Sequence, residues 1–225
     1  MCGRYFLTTP GAVLAESFAL ESAPELPPRW NIAPTQNVPI VRAPAAVRGG
    51  PARELAMVRW GLVPFWAKEA AIGNRLINAR AESLGEKPAF RDSFRKRRCL
   101  IPADGFYEWK KEGAGKQPWL LRLRGGGVLA FAGLWSRWQD PAGGAPLESC
   151  AIVTTTPNEL AATVHDRMPV VLPFDRHGTW LDPEAAAPAL AALLRPFPAE
   201  EMEAFPVSKL VNSPAHDEPG CIVPT

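Results

Sequence analysis

The sequence has little of the material from which metal sites, membrane spans and charged nucleic-acid arms are built. It holds three histidines in 225 residues: His165, His177 and His216. Its four cysteines stand at positions 2, 99, 150 and 221, and no two have the short spacing of a zinc or redox pair. A structural zinc site is therefore not expected, and no other metal or cofactor is called for. Reduced thiols in a cytoplasmic protein are the default reading. No apolar run reaches the ~18 residues of a membrane-spanning helix. The short "YFL" behind Arg4 is no core for a secretory leader. Charge of one sign is not in large excess either. The net charge of +2 does not mark a nucleic-acid binder, so any basic surface must be local. Internal repeats and low-complexity linkers are missing as well.

What is present describes a soluble globular chain. Hydrophobic residues make up 47% and charged residues 21%. The 25 prolines are about twice the usual share, which implies many loops and short elements and argues against a helical bundle. The length suits one large domain with a sizeable core. "GRYFLTT" reads as a first strand and "TPGAVLAESFAL" as a helix, with Thr9 as N-cap and Pro10 at its first position. "ESAPELPPRWNIAPTQN" reads as an ordered loop. "VPIVRA" and "RELAMVRW" alternate like paired strands joined by "PAAVRGGPA". "AFRDSFRKRR" has a helical charge pattern, and "CLIPADGFYEWK" is strand-like with a break at Asp104-Gly105. Three further strands are expected in "PWLLRLR", "GVLAFAGLWSRW" and "ESCAIVTTT". "PNELAATV" reads as a short helix capped by Thr156, "TWLDPEAAAPALAALL" supplies late helix, and the C-terminus reads as a strand with a Pro-broken tail. Strands joined by short turns, with helices interspersed but not alternating, predict an α+β fold with mainly antiparallel pairing. One domain is expected over residues 1–225, with its core at about 2–208 and a tail at 209–225.

Chemistry-bearing residues concentrate in a few segments. The chain opens "MCGRYF", so removal of Met1 would leave Cys2 with an α-amine and a thiol on adjacent carbons. In "DGFYEWK", Glu108 lies between Tyr107 and Trp109 in a strand and shares a face with Phe106 and Lys110. A carboxylate against aromatic rings is desolvated, which raises its pKa and suits a general acid; a cross-strand ion pair is the plainer alternative. In "VHDRMP", His165 follows a short helix beside Asp166 and Arg167. It reads either as a helix-dipole partner or as part of a phosphate clamp with a proton-transfer group. In "LINARAE", Asn78 and Arg80 point the same way if the segment is extended. "RDSFRKRR" carries five basic residues in eight, either a solvated helix face or a diffuse phosphate-attracting patch. Phe65 and Trp66 in "VPFWAKE" are loop aromatics that either pack or stack on bases.

Taken in order, "MCGRY", "WNIAP", "INARAE", "DGFYEWK" and "HDRMPV" resemble the SRAP family (SOS response-associated peptidases, the HMCES/YedK-type abasic-site processing proteins). The resemblance runs from Cys2 to about Ser208. It implies an open barrel-like sheet with flanking helices. It also implies binding to single-stranded DNA that carries an abasic site, with covalent capture of the sugar aldehyde as a thiazolidine crosslink. The family's reactive cysteine falls on Cys2, and its active-site asparagine, glutamate and histidine fall on Asn78, Glu108 and His165. Its phosphate-contacting arginines fall on Arg80 and Arg167, with Arg4 as a third. Its base-stacking tryptophan falls on Trp66. A DNA-repair protein that associates with the nucleoid when bound to DNA is implied, with strand-cleaving lyase activity a possible accompaniment.

Two other functions fit the same residues. One is a cysteine peptidase, or a protein that removes only its own Met1, using Cys2 with Glu108 and His165. The other is a single-strand binding module in which Cys2 is incidental.

Overall fold

The computed structural model describes residues 2–44, 52–113 and 115–225. In chain order it contains β1 (Arg4–Leu7), α1 (Gly11–Phe18), β2 (Arg29–Ile32), β3 (Asn37–Arg42), β4 (Glu54–Trp60) and β5 (Asn78–Arg80). There follow α2 (Pro88–Lys96), β6 (Arg98–Ala103), β7 (Gly105–Glu112), β8 (Gly115–Leu123), β9 (Leu129–Trp138) and β10 (Leu147–Thr155). The chain closes with α3 (Glu159–Ala162), β11 (Met168–Pro169), α4 (His177–Leu181), α5 (Ala187–Leu193) and β12 (Met202–Pro206). The expected α+β class is what the strands and helices form. Among the described residues no helix is long and apolar enough to cross a membrane.

One sheet runs β12-β8-β7-β1-β2, antiparallel throughout. The other runs β11-β10-β4-β3-β6-β9, and β9 pairs back onto β10, so it curls into a partial barrel. Closure is thinnest between β3 and β6, which share the Val41–Leu100 pair. Aromatic rings join the two sheets. Tyr5 of β1 meets Trp60 edge-on at 5.4 Å and Phe131 at 6.1 Å, and Phe106 of β7 meets Phe131 at 6.0 Å. All four side chains are fully buried, each adding roughly 1.5–3 kcal/mol by burial. This core is built on β1, which Cys2 immediately precedes, and on β7, which carries Glu108.

The expected break at Asp104 is a junction between sheets. The Asp104 carboxylate accepts from Thr8 N (2.6 Å), Thr8 Oγ1 (2.8 Å), Thr9 N (3.0 Å) and Thr9 Oγ1 (2.6 Å). It ties the start of β7 to the end of β1. Gly105 is required there, because a Cβ would lie 2.7 Å from the Phe6 ring and 2.8 Å from Leu121 O.

β4 and β5 occupy one edge of β10 in succession, both parallel to it, while residues 61–77 loop out between them. These are the two parallel pairs in a fold that is otherwise antiparallel among the described residues, as the mainly antiparallel expectation allows. Parallel neighbours need a long connection, and two sequence-distant strands gave no turn signal to reveal the pairing. The loop is pinched at its base. Leu62 N donates to Leu76 O (3.1 Å), and a Cβ on Gly61 or Gly73 would sit 2.7 or 2.5 Å from the other's carbonyl oxygen.

Local expectations needed correction in four places. Thr9 does not cap α1; its hydroxyl goes to Asp104, and Pro10 holds the N-cap position without a side-chain bond. α3 is capped by Asn158, not Thr156: Asn158 Oδ1 accepts from Ala161 N (2.8 Å) while its Nδ2 donates to Phe197 O (2.7 Å). The Pro-rich segment read as loop contains β2, which pairs with β1. The late helix is two helices, since the turn at 182–186 separates α4 from α5. The joining segment expected at 44–52 falls mostly outside the described residues.

Candidate active site

Cys2 lies just ahead of β1 and is fully buried. Its carbonyl accepts a 2.8 Å hydrogen bond from Asn78 Nδ2. Asn78 opens β5, and two bonds at the preceding residue fix it there: Trp60 Nε1 and Ile152 N both donate to Ile77 O (3.0 Å each). The amide of Asn78 therefore rests on the core. Its Oδ1 is buried and accepts no hydrogen bond from the described residues. Burial pushes the Cys2 thiol well above its ordinary pKa, and the nearby Glu108 charge pushes the same way. The thiol is held protonated, with Sγ 3.8 Å from Arg4 O.

Glu108 sits in β7 directly across from Trp119 of β8, with its side chain 3% exposed. Burial lifts its carboxyl to about 7, and the charge of Asp166 adds to the shift. His165 Nε2 lies 3.8 Å from Glu108 Oε2, longer than a direct hydrogen bond. On the other side of the ring, Nδ1 accepts from the backbone N–H of Arg167 (3.1 Å). Asp166 Oδ1 is also 2.9 Å from Nδ1, but that side chain is 87% exposed. The amide hydrogen cannot rotate away, so it sets the tautomer, and the neutral ring presents Nε2–H toward Glu108. Burial keeps the His165 pKa below its ordinary value, with Asp166 partly opposing the shift.

The loop at 165–167 is pinned by Arg167. Its guanidinium grips Glu82 at 2.6 and 3.0 Å and donates to Thr154 O at 2.6 Å. The Arg167 hydrogen bond holds the Glu82 carboxyl below the usual carboxylate range. Glu82 and Thr154 were not singled out from the sequence. Glu82 stands inside "LINARAE", yet nothing local pairs it with an arginine so far along the chain.

The structure thus brings Cys2, Asn78, Glu108 and His165 together, with Arg80 and Arg167 on either side of Thr154. Arg80 is exposed, and its guanidinium makes no hydrogen bond among the described residues. Arg4 is already engaged: Nη1 donates to Asn31 Oδ1 (2.9 Å) and Val211 O (2.6 Å), and Nη2 to Asn212 O (3.4 Å). Trp66 is 48% exposed, with Nε1 3.4 Å from Pro88 O. With Phe65, Arg91 and Arg95 it lines an open concavity of about 530 Å³. The rest of the basic run divides: Arg97 pairs with Asp92, and Arg98 is buried, donating to four carbonyls at the ends of α2 and α4. Among the described residues no group of three His, Cys, Asp or Glu converges as a metal site requires.

Residues 1–214 match the family described as SOS response associated peptidase (SRAP). The abasic site processing protein YoqW of Bacillus subtilis (strain 168) is 43% identical over 227 residues, 99% of each chain. The abasic site processing protein HMCES of Gallus gallus is 33% identical over 223 residues, covering 88% of this chain and 66% of that one. A crystal structure of a protein from Bacteroides thetaiotaomicron superposes with a TM-score of 0.88 at 27% identity, covering all of both chains.

Proposed function

From the premise that this chain belongs to the SRAP family, we propose that it processes abasic sites in single-stranded DNA, Cys2 capturing the sugar aldehyde once Met1 is removed. The observation that carries this reading is the cluster itself. The Cys2 backbone is clamped by Asn78 beside a buried carboxyl of pKa about 7 and an imidazole N–H.

The chemistry needs those groups. An abasic deoxyribose is mostly a closed hemiacetal, and its aldehyde appears only on ring opening. The protonated Glu108 carboxyl donates to the ring oxygen as the C1′–O bond breaks and the anomeric hydroxyl gives its proton to water, leaving the aldehyde; His165 Nε2–H supports the same step or the neighbouring hydroxyl. The Cys2 α-amine attacks C1′; its ordinary pKa of about 7.7–8.0 leaves much of it nucleophilic near neutrality. Loss of one water gives an imine. The thiol then adds across it, sulfur to carbon and proton to nitrogen, closing a five-membered thiazolidine. The thiol's raised pKa keeps it silent until the protonated imine forms, because that adjacent positive charge favours the thiolate. Ring closure makes the link durable where an open imine would hydrolyse.

Arg80, Arg167 and Arg4 are the proposed phosphate contacts, and of the three Arg80 has the guanidinium open to a phosphate, Arg4 and Arg167 being held by protein partners. Phe65 and Trp66 offer stacking faces that an unpaired strand can reach. The same carboxyl and imidazole would serve hydrolysis of the Met1–Cys2 bond. Self-release of Met1 is tested by making the protein without an aminopeptidase and weighing it.

The function is tested on a denaturing gel with a single strand made abasic by uracil glycosylase. Wild type should give a slow-migrating covalent species. Cys2→Ala keeps an amine but no thiol, so it should give strand cleavage by β-elimination in place of the stable species. A Cys2→Ala protein that crosslinks like wild type would refute capture through Cys2.

A further inference from the structure

The residues after β12 look like a tail in sequence, but the structure fastens them. Asn31 of β2 is fully buried and fully used. Its Oδ1 accepts from Arg4, and its Nδ2 lies 3.3, 2.9 and 2.7 Å from the carbonyls of Val211, Ser213 and His216. Asp217 closes the same loop from the other side. Its Oδ1 accepts from Trp30 N (2.5 Å) and Asn31 N (2.9 Å), and its Oδ2 from Arg29 Nε. A third tie runs from Trp109 Nε1 to Asn212 Oδ1 at 2.8 Å.

The Asp217 and Asn31 ties end on β2, the partner of β1, while the bonds from Arg4 and Trp109 end on β1 and β7 themselves, next to the reacting groups. β1 and β7 pair Arg4 with Tyr107 and Tyr5 with Phe106. Continued outward, that register sets Gly3 across from Glu108 and Cys2 across from Trp109. Arg4 is two residues from Cys2, and Trp109 is next to Glu108. Both side chains rest on residues 211–212, with the Arg4 guanidinium 6.0 Å from the centre of the Trp109 ring.

We propose that residues 209–217 form a strap that sets Cys2 against Glu108, with Asn31, Asp217 and Asn212 as positioning residues for the capture reaction; this rests on the function proposed above. The β1–β7 pairing stops at Arg4–Tyr107, one residue short of Glu108, while β7 itself runs on to Glu112 against β8, so no backbone pairing between β1 and β7 aligns Cys2 with Glu108. The strap supplies the missing restraint from outside the sheet. A shift of about 1 Å at a reacting pair can cost about 10²-fold in rate, so restraint here is felt in the chemistry before it is felt in binding.

Two variants test this: Asn212→Ala, which removes one exposed hydrogen bond, and Asp217→Asn, which keeps the shape but removes the carboxylate. Three readouts are taken. The first is single-turnover crosslinking at saturating abasic strand. The second is affinity for a strand carrying tetrahydrofuran, which has no aldehyde. The third is iodoacetamide alkylation of each cysteine, mapped by peptide mass. The strap predicts crosslinking at least tenfold slower, tetrahydrofuran affinity within twofold of wild type, and faster alkylation of Cys2 with buried Cys99 and Cys150 unchanged. Crosslinking within twofold of wild type and unchanged Cys2 alkylation would overturn it. So would a parallel rise at Cys99 and Cys150, which means general loosening. If wild type forms no adduct, the capture reading fails by itself, and the Cys2 alkylation result still decides whether the strap holds that residue.

Discussion

Asn78 Nδ2 donates to the carbonyl of Cys2 at 2.8 Å, joining the segment just ahead of β1 in one sheet to the short β5 of the other. A nucleophile at a chain terminus is otherwise free to fray. This bond fixes its backbone in a buried position. Asn78→Ala should lower the crosslinking rate by about 10–10². The loss in stability should be only about 1 kcal/mol, the ordinary worth of one hydrogen bond. Stopped reactions on an abasic strand and a denaturant melt check the two halves. Equal losses in both would make Asn78 a structural residue only.

Glu108 has a folded pKa of about 7 against an ordinary value near 4.3. Between those values the folded protein holds a proton that the unfolded chain has released, so stability falls as pH rises through the window. Glu108→Gln removes that fall. It should stabilise the protein by on the order of 2–3 kcal/mol at pH 8 and bring no gain at pH 4. Its crosslinking should drop by about 10²-fold. The wild-type rate should peak between the pKa of Glu108 and that of the Cys2 amine, and only the rising limb should remain in the variant. Thermal melts at pH 4 and 8 and a pH–rate profile test this. A variant no more stable at pH 8 contradicts the buried carboxyl.

His165 faces Glu108 through Nε2–H and is fixed by the Arg167 amide at Nδ1. On the proposed mechanism its role belongs to ring opening, before the amine attacks. His165→Ala should slow capture of an abasic sugar by about 10–10². Capture of an open-chain aldehyde placed in the same strand should be little affected. Equal slowing on both substrates would move His165 to a later step.

Arg80 and Trp66 should separate by salt. Arg80→Ala should weaken binding to a tetrahydrofuran strand and flatten the slope of log K against log salt by about 0.7, the counterion release of one single-strand phosphate. Trp66→Ala should weaken binding by about 1–3 kcal/mol with the slope unchanged, because stacking carries no charge. A salt titration of both variants distinguishes them, and the opposite pattern would exchange their roles.

Much of the fold was legible because it is local. The alternation in 38–43 and 53–60 gave the β3–β4 pair, and the polar break at Asp104-Gly105 gave the corner between β6 and β7. What escaped was held from far away. β2 hides in a Pro-rich stretch and is secured by Asp217, more than 180 residues on. The parallel placement of β5 on β10 left no trace in spacing. The apparent tail gave no sign that Asn31 would gather three of its carbonyls. The site divides the same way. Cys2 drew notice by position and Glu108 by its aromatic neighbours. Their meeting with Asn78 and His165 came from a family resemblance, since no periodicity brings four distant segments to one point. The Glu82–Arg167 pair, which fixes the histidine loop, was missed for the same reason.

The central claim is covalent capture by the N-terminus of the mature chain, and intact mass spectrometry tests it most directly. The protein is mixed with a uracil-containing single strand treated with uracil glycosylase. The account predicts a species lacking Met1 and heavier by the mass of the abasic strand less one water. Cys2→Ala should not form that durable adduct, nor should wild type with undamaged DNA. A protein that has lost Met1 and still gains no mass would contradict the account.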